Sequence, residues 1–505
     1  MNGESPAVGA RKGNAAWTLV VASLALMMAL LDALVVTTAL PALRVSLHSS
    51  LAGLEWTINA YNLIFACSLL TGAALGDRFG RRRMLCVGLT IFVSASLLAG
   101  LSPTIGVLIL ARALQGLGAA MMVPLTLTVV TDAFPPERLG WAIGIWSGVG
   151  ALSGALGPVV GGVVVTAIGW HWIFWINVPV GLALIPIATA QVRESYGGHP
   201  RLDLAGLTLI TGGVFCITWA IIQTDTLGWG NGQVVAPLLG GLLVVALFVL
   251  WERRAPHPML RLSMFRQRSF TFANGISFCL FAGLFGALFL MSQFFQTAQG
   301  RSPLQAGGQL LAWSAWGLLF APLAGRLASR YGNKPFMVAG LVMQATGLAG
   351  IAIVARQDVP FAEMAPLLAI AGIGTSLVFP TVANEVMGSA LPDETGIASG
   401  TNNALRELGG VFGVAVLATV FNRSGVYTAP GVFVTGFKSA LWVAVAFSAI
   451  GIPLALALPG ALRSANDMPE VESNQSNMLN PGSRLWEERL ATIQRLAEAL
   501  SGIES

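Results

Sequence analysis

The chain is poor in charge, cysteine, histidine and tyrosine. Only 10% of its 505 residues are Asp, Glu, Lys or Arg, against about 25% in an ordinary soluble domain. The four cysteines (Cys67, Cys86, Cys216 and Cys279) stand singly in apolar surroundings, without a Cys-x-x-Cys pair. They read as small buried hydrophobes, which excludes a disulfide scaffold and a zinc site. The four histidines (His48, His171, His199 and His257) are far apart, so no metal spacing appears. No phosphate-cradling nucleotide loop and no nucleophile–base arrangement is present. The sequence therefore predicts no cofactor, no metal, no ATP and no enzymatic activity. The formal net charge of +5 is no sign of nucleic-acid binding, because the basic residues gather in a few loops.

What is abundant is apolar. Hydrophobic residues make up 55% of the chain, with 59 glycines and 25 prolines, a balance typical of polytopic membrane proteins. Fourteen segments are long enough to cross a bilayer, for which about 20 apolar residues suffice. They lie near 15–41, 56–76, 84–102, 105–131, 139–168, 172–192, 204–224, 233–251, 269–293, 305–325, 336–355, 364–384, 396–421 and 439–461. The first is too long for the h-region of a signal peptide, about 7–15 residues, and reads as an uncleaved helix. With both termini in the cytoplasm, 21 of the 28 lysines and arginines fall on inner loops and tails. The outer loops hold Arg44, Arg301, Arg356, Arg423 and Lys438, while Arg112 and Arg406 lie within spans. That asymmetry sets the orientation expected for a cytoplasmic-membrane protein.

The chain repeats itself. Residues 73–82 (AALGDRFGRR) match 325–334 (GRLASRYGNK), and 136–144 (PERLGWAIG) match 392–400 (PDETGIASG). Spans 1–6 thus correspond to spans 9–14, with spans 7 and 8 as an extra hairpin. The expected divisions are a cytoplasmic tail (1–14), an N-terminal six-helix half (15–192), a two-helix insert with its flanking loops (193–268), a C-terminal six-helix half (269–461) and a cytoplasmic tail (462–505). Within that last tail, Arg484 to Ile503 places Leu485, Ile493, Leu496 and Leu500 near one face of a short helix.

One acid stands inside the first span. Asp32 has no basic residue in its own segment, and a carboxylate at the bilayer centre costs at least about 2.5 kcal/mol, which makes it a functional candidate by default. It reads as a reversible proton or cation site. Arg112, within the fourth span, needs a partner, and Asp32 is the one carboxylate buried in spans 1–6. On span 13, Arg406 and Glu407 are adjacent. The sequence predicts that they face different sides of the helix without pairing, and makes Glu407 a second candidate proton site. Asn59, Asn62, Phe65, Gln296, Trp313, Asn402 and Arg406 are candidates for an amide and aromatic substrate pocket.

Several stretches together resemble the fourteen-span drug:proton antiporters of the major facilitator superfamily. The Leu75–Arg82 loop is similar to the signature between the second and third helices. Leu108, Arg112, Gln115, Gly116, Gly118, Ala119 and Ala120 resemble the fourth-helix motif. Gly157-Pro158-Val159-Val160-Gly161-Gly162 resembles the antiporter motif of the fifth helix, and Leu31-Asp32 through Ala39-Leu40-Pro41 that of the first. Trp56, Tyr61, Trp170–Phe174, Asn177–Gly181 and Ser302–Leu304 match further positions. The resemblance implies an all-α fold of two six-helix halves plus a two-helix insert. It also implies proton exchange at Asp32 with Arg112 as modulator, and a close-packed fifth helix at Gly154, Gly157, Pro158, Gly161 and Gly162. Asp77, Arg78, Gly80, Arg81 and Arg82 would form a cytoplasmic gating loop, with Asp77 pairing an arginine and facing a helix N-terminus. Ser329 replaces the aspartate in the second copy, so the charged latch is expected in the first half. The function so implied is proton-coupled efflux of small amphipathic organic compounds. A dedicated exporter of one natural product would look the same in sequence, and a membrane receptor or scaffold is the alternative of a different class.

Overall fold

In the computed structural model, residues 13–198, 202–255, 258–391, 393–425 and 430–459 are described. The candidate helix at 484–503 lies outside them. Sixteen α-helices follow in order: α1 (Ala15–Ser46), α2 (Leu51–Phe79), α3 (Arg81–Gly100), α4 (Ile105–Ala133), α5 (Pro136–Ala167), α6 (Trp172–Trp175), α7 (Asn177–Gln191), α8 (Leu204–Leu227), α9 (Gly232–Glu252), α10 (Arg268–Gln293), α11 (Pro303–Ser314), α12 (Gly317–Tyr331), α13 (Lys334–Val354), α14 (Phe361–Gly388), α15 (Thr395–Ser424) and α16 (Pro430–Leu456). Thirteen helical stretches among the described residues are long and apolar enough to cross a membrane. A fourteenth arises if α5, bent by 50° between Pro136–Gly154 and Val159–Ala167, counts as one span.

Local chemistry sets many of the helix ends. Ser50, Thr104 and Asp203 accept hydrogen bonds from the first turns of α2, α4 and α8, and Ser302 forms a capping box with Gln305 on α11. The α2–α3 corner turns on Gly80, at φ +106°, and its repeat Gly332 sits at φ +81°, a region that side chains disfavour. Several helices run past the apolar segments that announced them. α2 begins at Leu51 rather than near 56, and α16 at Pro430 rather than near 439; the apolar Val432, Phe433, Val434 and Phe437 extend the last span at its start. Two segments expected as single helices are broken: the sixth span into α6 and α7, and the tenth into α11 and α12.

The repeat is visible in the packing. In the first half α1 packs on α5, α2 on α4, α3 on α4, and α7 on α3 and α1. In the second half α10 packs on α15, α12 on α14, α13 on α14, and α16 on α13 and α10. These are equivalent pairs. The halves meet through α2 against α15 and, by the same symmetry, α12 against α5. The hairpin α8–α9 leans through α8 on both α2 and α15. Thr71 and Thr211 hydroxyls lie 2.9 Å apart, Trp56 and Trp219 rings 5.0 Å apart, and Trp229 Nε1 donates to Thr419 Oγ1 at 2.7 Å.

Candidate functional site

Asp32 lies in the middle of α1, fully buried. Arg112 of α4 and Asn177, at the first turn of α7, reach it from two directions. Arg112 Nη1 donates to Asp32 Oδ2. Asn177 Nδ2 donates to Oδ1 at 2.7 Å and Gln115 Nε2 to the same oxygen at 3.1 Å. Gln115 also accepts from Arg112 Nη1 at 2.8 Å and donates to Ser96 Oγ at 2.8 Å, while Arg112 Nε donates to the Thr57 carbonyl at 3.0 Å. The guanidinium carbon stands 4.4 Å from the Tyr61 ring centre, and Tyr61 in turn donates to the Ala29 carbonyl at 3.0 Å. The α1 carboxylate thus accepts from three side chains on α4 and α7, and α2 and α3 brace those donors through Thr57 and Ser96. A buried ion pair offsets the loss of hydration only when its remaining hydrogen-bonding positions are filled, and here nearly all are.

Sequence reasoning nominated Asp32 and Arg112 without a way to place them together, since 80 residues separate them. It did not assign Gln115, Asn177 and Ser96 to this carboxylate. Gln115 was within reach of inference, because a residue three positions after Arg112 shares its helix face. Asn177 and Ser96 carried no such signal.

The α2–α3 loop forms a second charged cluster. Arg81 Nε donates to Asp77 Oδ1 at 2.8 Å, and Arg81 Nη1 to Asp132 Oδ2 at 2.8 Å. Arg82 contacts Glu194 through its backbone N–H at 2.9 Å and its Nε at 3.4 Å. Arg78 is exposed, beside a small cleft it shares with Asp203, Met259 and Ile397. The Asp77 carboxylate rests on the first turn of α15 in the other half. A Cβ on Gly396 would stand 2.2 and 2.3 Å from its two oxygens, so only glycine leaves room. Nearby, Arg261 Nη1 lies 2.8 Å from Glu394 Oε1. Among the described residues the pseudo-equivalent contact, α5 on α12, contains no such pair. Cβ atoms on Gly140, Gly144 and Gly148 would meet backbone oxygens of Gly325, Ala321 and Gly317 at 2.2, 2.5 and 2.6 Å, and Ser329 stands where Asp77 does.

The fifth-helix motif divides into residues that pack and one that does not. A Cβ on Gly157 would come 2.8 Å from Leu34 Cβ, and one on Gly161 would come 2.2 Å from Thr38 Oγ1, both on α1. Gly162 has only ordinary contacts with Leu304, and Gly154 has nothing within 4 Å. Among the described residues, then, Gly157 and Gly161 make the close approach to α1, and Gly154 makes none. Pro158 lies at the α5 bend, where its missing N–H removes one helix hydrogen bond.

On α15 the expectation of an unpaired Arg406 and Glu407 is corrected. Arg406 Nη2 lies 3.5 Å from Glu407 Oε1; both side chains are long enough to bend toward each other although their Cβ atoms diverge. The remaining pocket candidates scatter. Asn402 donates to Asn274 Oδ1 and Ser277 Oγ of α10 at 3.1 and 2.9 Å, and Gln296 to Ser292 Oγ at 3.0 Å. Phe65 and Trp313 are buried, and Asn59 and Asn62 half-buried on α2. Groups of His, Cys, Asp or Glu able to hold a metal ion are absent among the described residues.

Comparison with known proteins now has a geometry to attach to. Among solved structures, the human organic anion transporter MFSD10 (TETRAN) superposes with a TM-score of 0.62 at 16% identity, over 87% of this chain and 99% of that one. The proton:xylose symporter XylE superposes equally, at 15% identity over 88% and 96%. At these identities the likeness is one of fold. Among curated sequences, the tetracenomycin C resistance and export protein of Streptomyces glaucescens is 34% identical over 82% of this chain and 77% of its own. The multidrug resistance protein Stp of Mycobacterium tuberculosis is 34% identical over 80% and 75%. The methylenomycin A resistance protein of Bacillus subtilis is 32% identical over 81% and 88%. The sequence profile of the Major Facilitator Superfamily matches residues 22–414 and, in a second alignment, 273–478. The chain is a multi-pass membrane transporter and belongs to the major facilitator superfamily.

Proposed function

We propose that this transporter exports small amphipathic organic compounds across the cytoplasmic membrane in exchange for protons, by alternating access. The observation that carries the reading is the buried Asp32–Arg112 pair, a titratable acid held inside the membrane by a cation that it must release when it takes a proton. Protonating Asp32 cancels one charge of the pair and turns an acceptor of three hydrogen bonds into a weaker one, so Arg112, Gln115 and Asn177 must re-sort. The names of the relatives, resistance and export proteins, support the outward direction of transport. The basic loops support both termini lying in the cytoplasm, which puts the Asp77 latch at the cytoplasmic face, shut in this conformation.

The two elements are joined through α5. Its far segment packs by Gly161 on the α1 turn after Asp32, and its near segment forms the seam with α12. Rearrangement around Asp32 thus bears on the helix that holds the halves together. Glu407 is the second candidate carboxylate, and Asn59, Asn62, Phe65, Gln296, Trp313, Asn402 and Arg406 remain the candidate substrate contacts. A narrower reading, export of one natural product, is favoured by the relatives named for single antibiotics.

The test is substrate-driven proton movement in proteoliposomes, with a panel of cationic, neutral and anionic compounds. Flux in the native protein that Asp32→Asn abolishes, with folding and binding retained, supports the reading. Flux that persists in Asp32→Asn moves the carrier elsewhere, with Glu407→Gln next. Response to a single compound favours the narrow exporter.

A further inference from the structure

Arg406 is as buried as Arg112, at 1% exposure, yet it is served very differently. Among the described residues its Nε and Nη2 atoms, which form one edge of the guanidinium, both lack a hydrogen-bond partner, whereas Arg112 leaves only Nη2 without one. Glu407 Oε1, 3.5 Å away, is itself without one, so the two charges attract without closing a hydrogen bond. Two aromatic rings stand beside the cation on one side, its carbon 5.1 Å from the centre of Phe281 on α10 and 5.4 Å from that of Phe379 on α14, with the two ring centres 5.3 Å apart. Trp146 of α5, in the other half, lies 5.7 Å from Phe379. An arginine edge with two free N–H groups matches two acceptor oxygens side by side, and buried donors left idle are costly. Asp32, by contrast, has no vacancy for a cationic compound, since it already accepts from three donors.

We infer that the Arg406 edge is the recognition point for an acidic oxygen pair on an aromatic substrate. A carboxylate, or a phenolate flanked by a carbonyl, binds Arg406 while its ring packs on Phe281, Phe379 and Trp146. Glu407 competes for the same guanidinium and holds it until substrate arrives. The inference rests on the transport reading above and adds its substrate class, acidic aromatic compounds. It asks for displacement of an ion pair only, with no covalent change.

The experiment is equilibrium binding to the purified full chain in detergent, read by fluorescence polarisation. Fluorescein is the anionic aromatic probe and ethidium the cationic one. The native chain is expected to bind fluorescein at least tenfold more tightly than ethidium. Arg406→Gln should weaken fluorescein tenfold or more, and Arg406→Lys, which keeps the charge without the planar fork, should restore only part. Glu407→Gln should tighten fluorescein severalfold by removing the competitor. If Arg406→Gln does not fold, the Lys and Glu407 variants carry the test, with a monodisperse elution profile as control. Fluorescein affinity indifferent to both Arg406 variants, or a preference for ethidium lost in Glu407→Gln, overturns the inference. Binding is read without a gradient, so Arg406-dependent fluorescein binding in a chain that moves no protons sinks the proton-exchange reading and leaves the site standing.

Discussion

Arg112 and Arg406 are two buried guanidiniums in corresponding halves of one repeat, and they differ in what surrounds them. Arg112 sits on the acid, an amide and a carbonyl, with a tyrosine face beneath. Arg406 has two adjoining aromatic rings on one side and a neighbouring acid 3.5 Å away without a hydrogen bond. Around Arg112 most polar groups satisfy one another, with Nη2 the exception; around Arg406 a whole guanidinium edge is left without a hydrogen bond among the described residues. The latch contrasts in the same way: α2 meets α15 through charge at Asp77, whereas α12 meets α5 through bare backbone.

The sharpest way to break the first contrast is to strip each arginine of its charge. Arg112→Leu strands Asp32 as an uncompensated buried charge and is expected to cost about 3–5 kcal/mol, seen as a large fall in the detergent melting temperature. Arg406→Leu is expected to cost less than half as much, since Glu407 keeps 15% of its side chain exposed. Equal losses would erase the distinction. Combining Asp32→Asn with Arg112→Gln should cost clearly less than the two single changes added together, because the pair is coupled.

At the halves' interface, Gly140→Val drives a side chain into the Gly325 carbonyl, where even a Cβ would stand at 2.2 Å. Overpacking of that kind costs about 1–3 kcal/mol, measurable as lost thermal stability. Gly396→Ala displaces Asp77 from the first turn of α15, so spin labels placed on the α2 and α15 ends should report a longer distance, with stability little changed. Asp77→Asn should shift the same distance in the same direction by less, because the amide retains a hydrogen bond. The smallest effect is expected for Gly154→Ala. Its Cβ meets nothing, and alanine is the better helix former by about 1 kcal/mol, so melting should hold or rise.

Much of the fold was legible because membrane helices announce themselves by length and composition. The 73–82 and 325–334 segments exposed the repeat without any structure. The Asp32 environment was only half legible. A lone acid in an apolar run is conspicuous, but the amides that bind it come from helices whose rotation about their axes leaves no mark in a uniformly apolar segment. For the same reason Gly154 and Gly157 look alike as letters, although one meets open space and the other α1. The Arg406–Glu407 pair was misread because adjacency in a helix fixes where Cβ atoms point and says little about where four-bond side chains end. What lay beyond sequence was the vacancy at Arg406, since an absent hydrogen bond has no residue to represent it.

The insert hairpin has a consequence for the path a greasy molecule takes. By resting on both α2 and α15 it lies along one of the two lateral joints through which lipid could communicate with the interior. A compound dissolved in the bilayer and moving sideways toward that joint meets α8, pinned to the two halves by Thr211 and Trp229. The opposite joint, between α5 and α12, has no such strut pinned across it among the described residues and is closed instead by the backbone contacts of Gly140, Gly144 and Gly148.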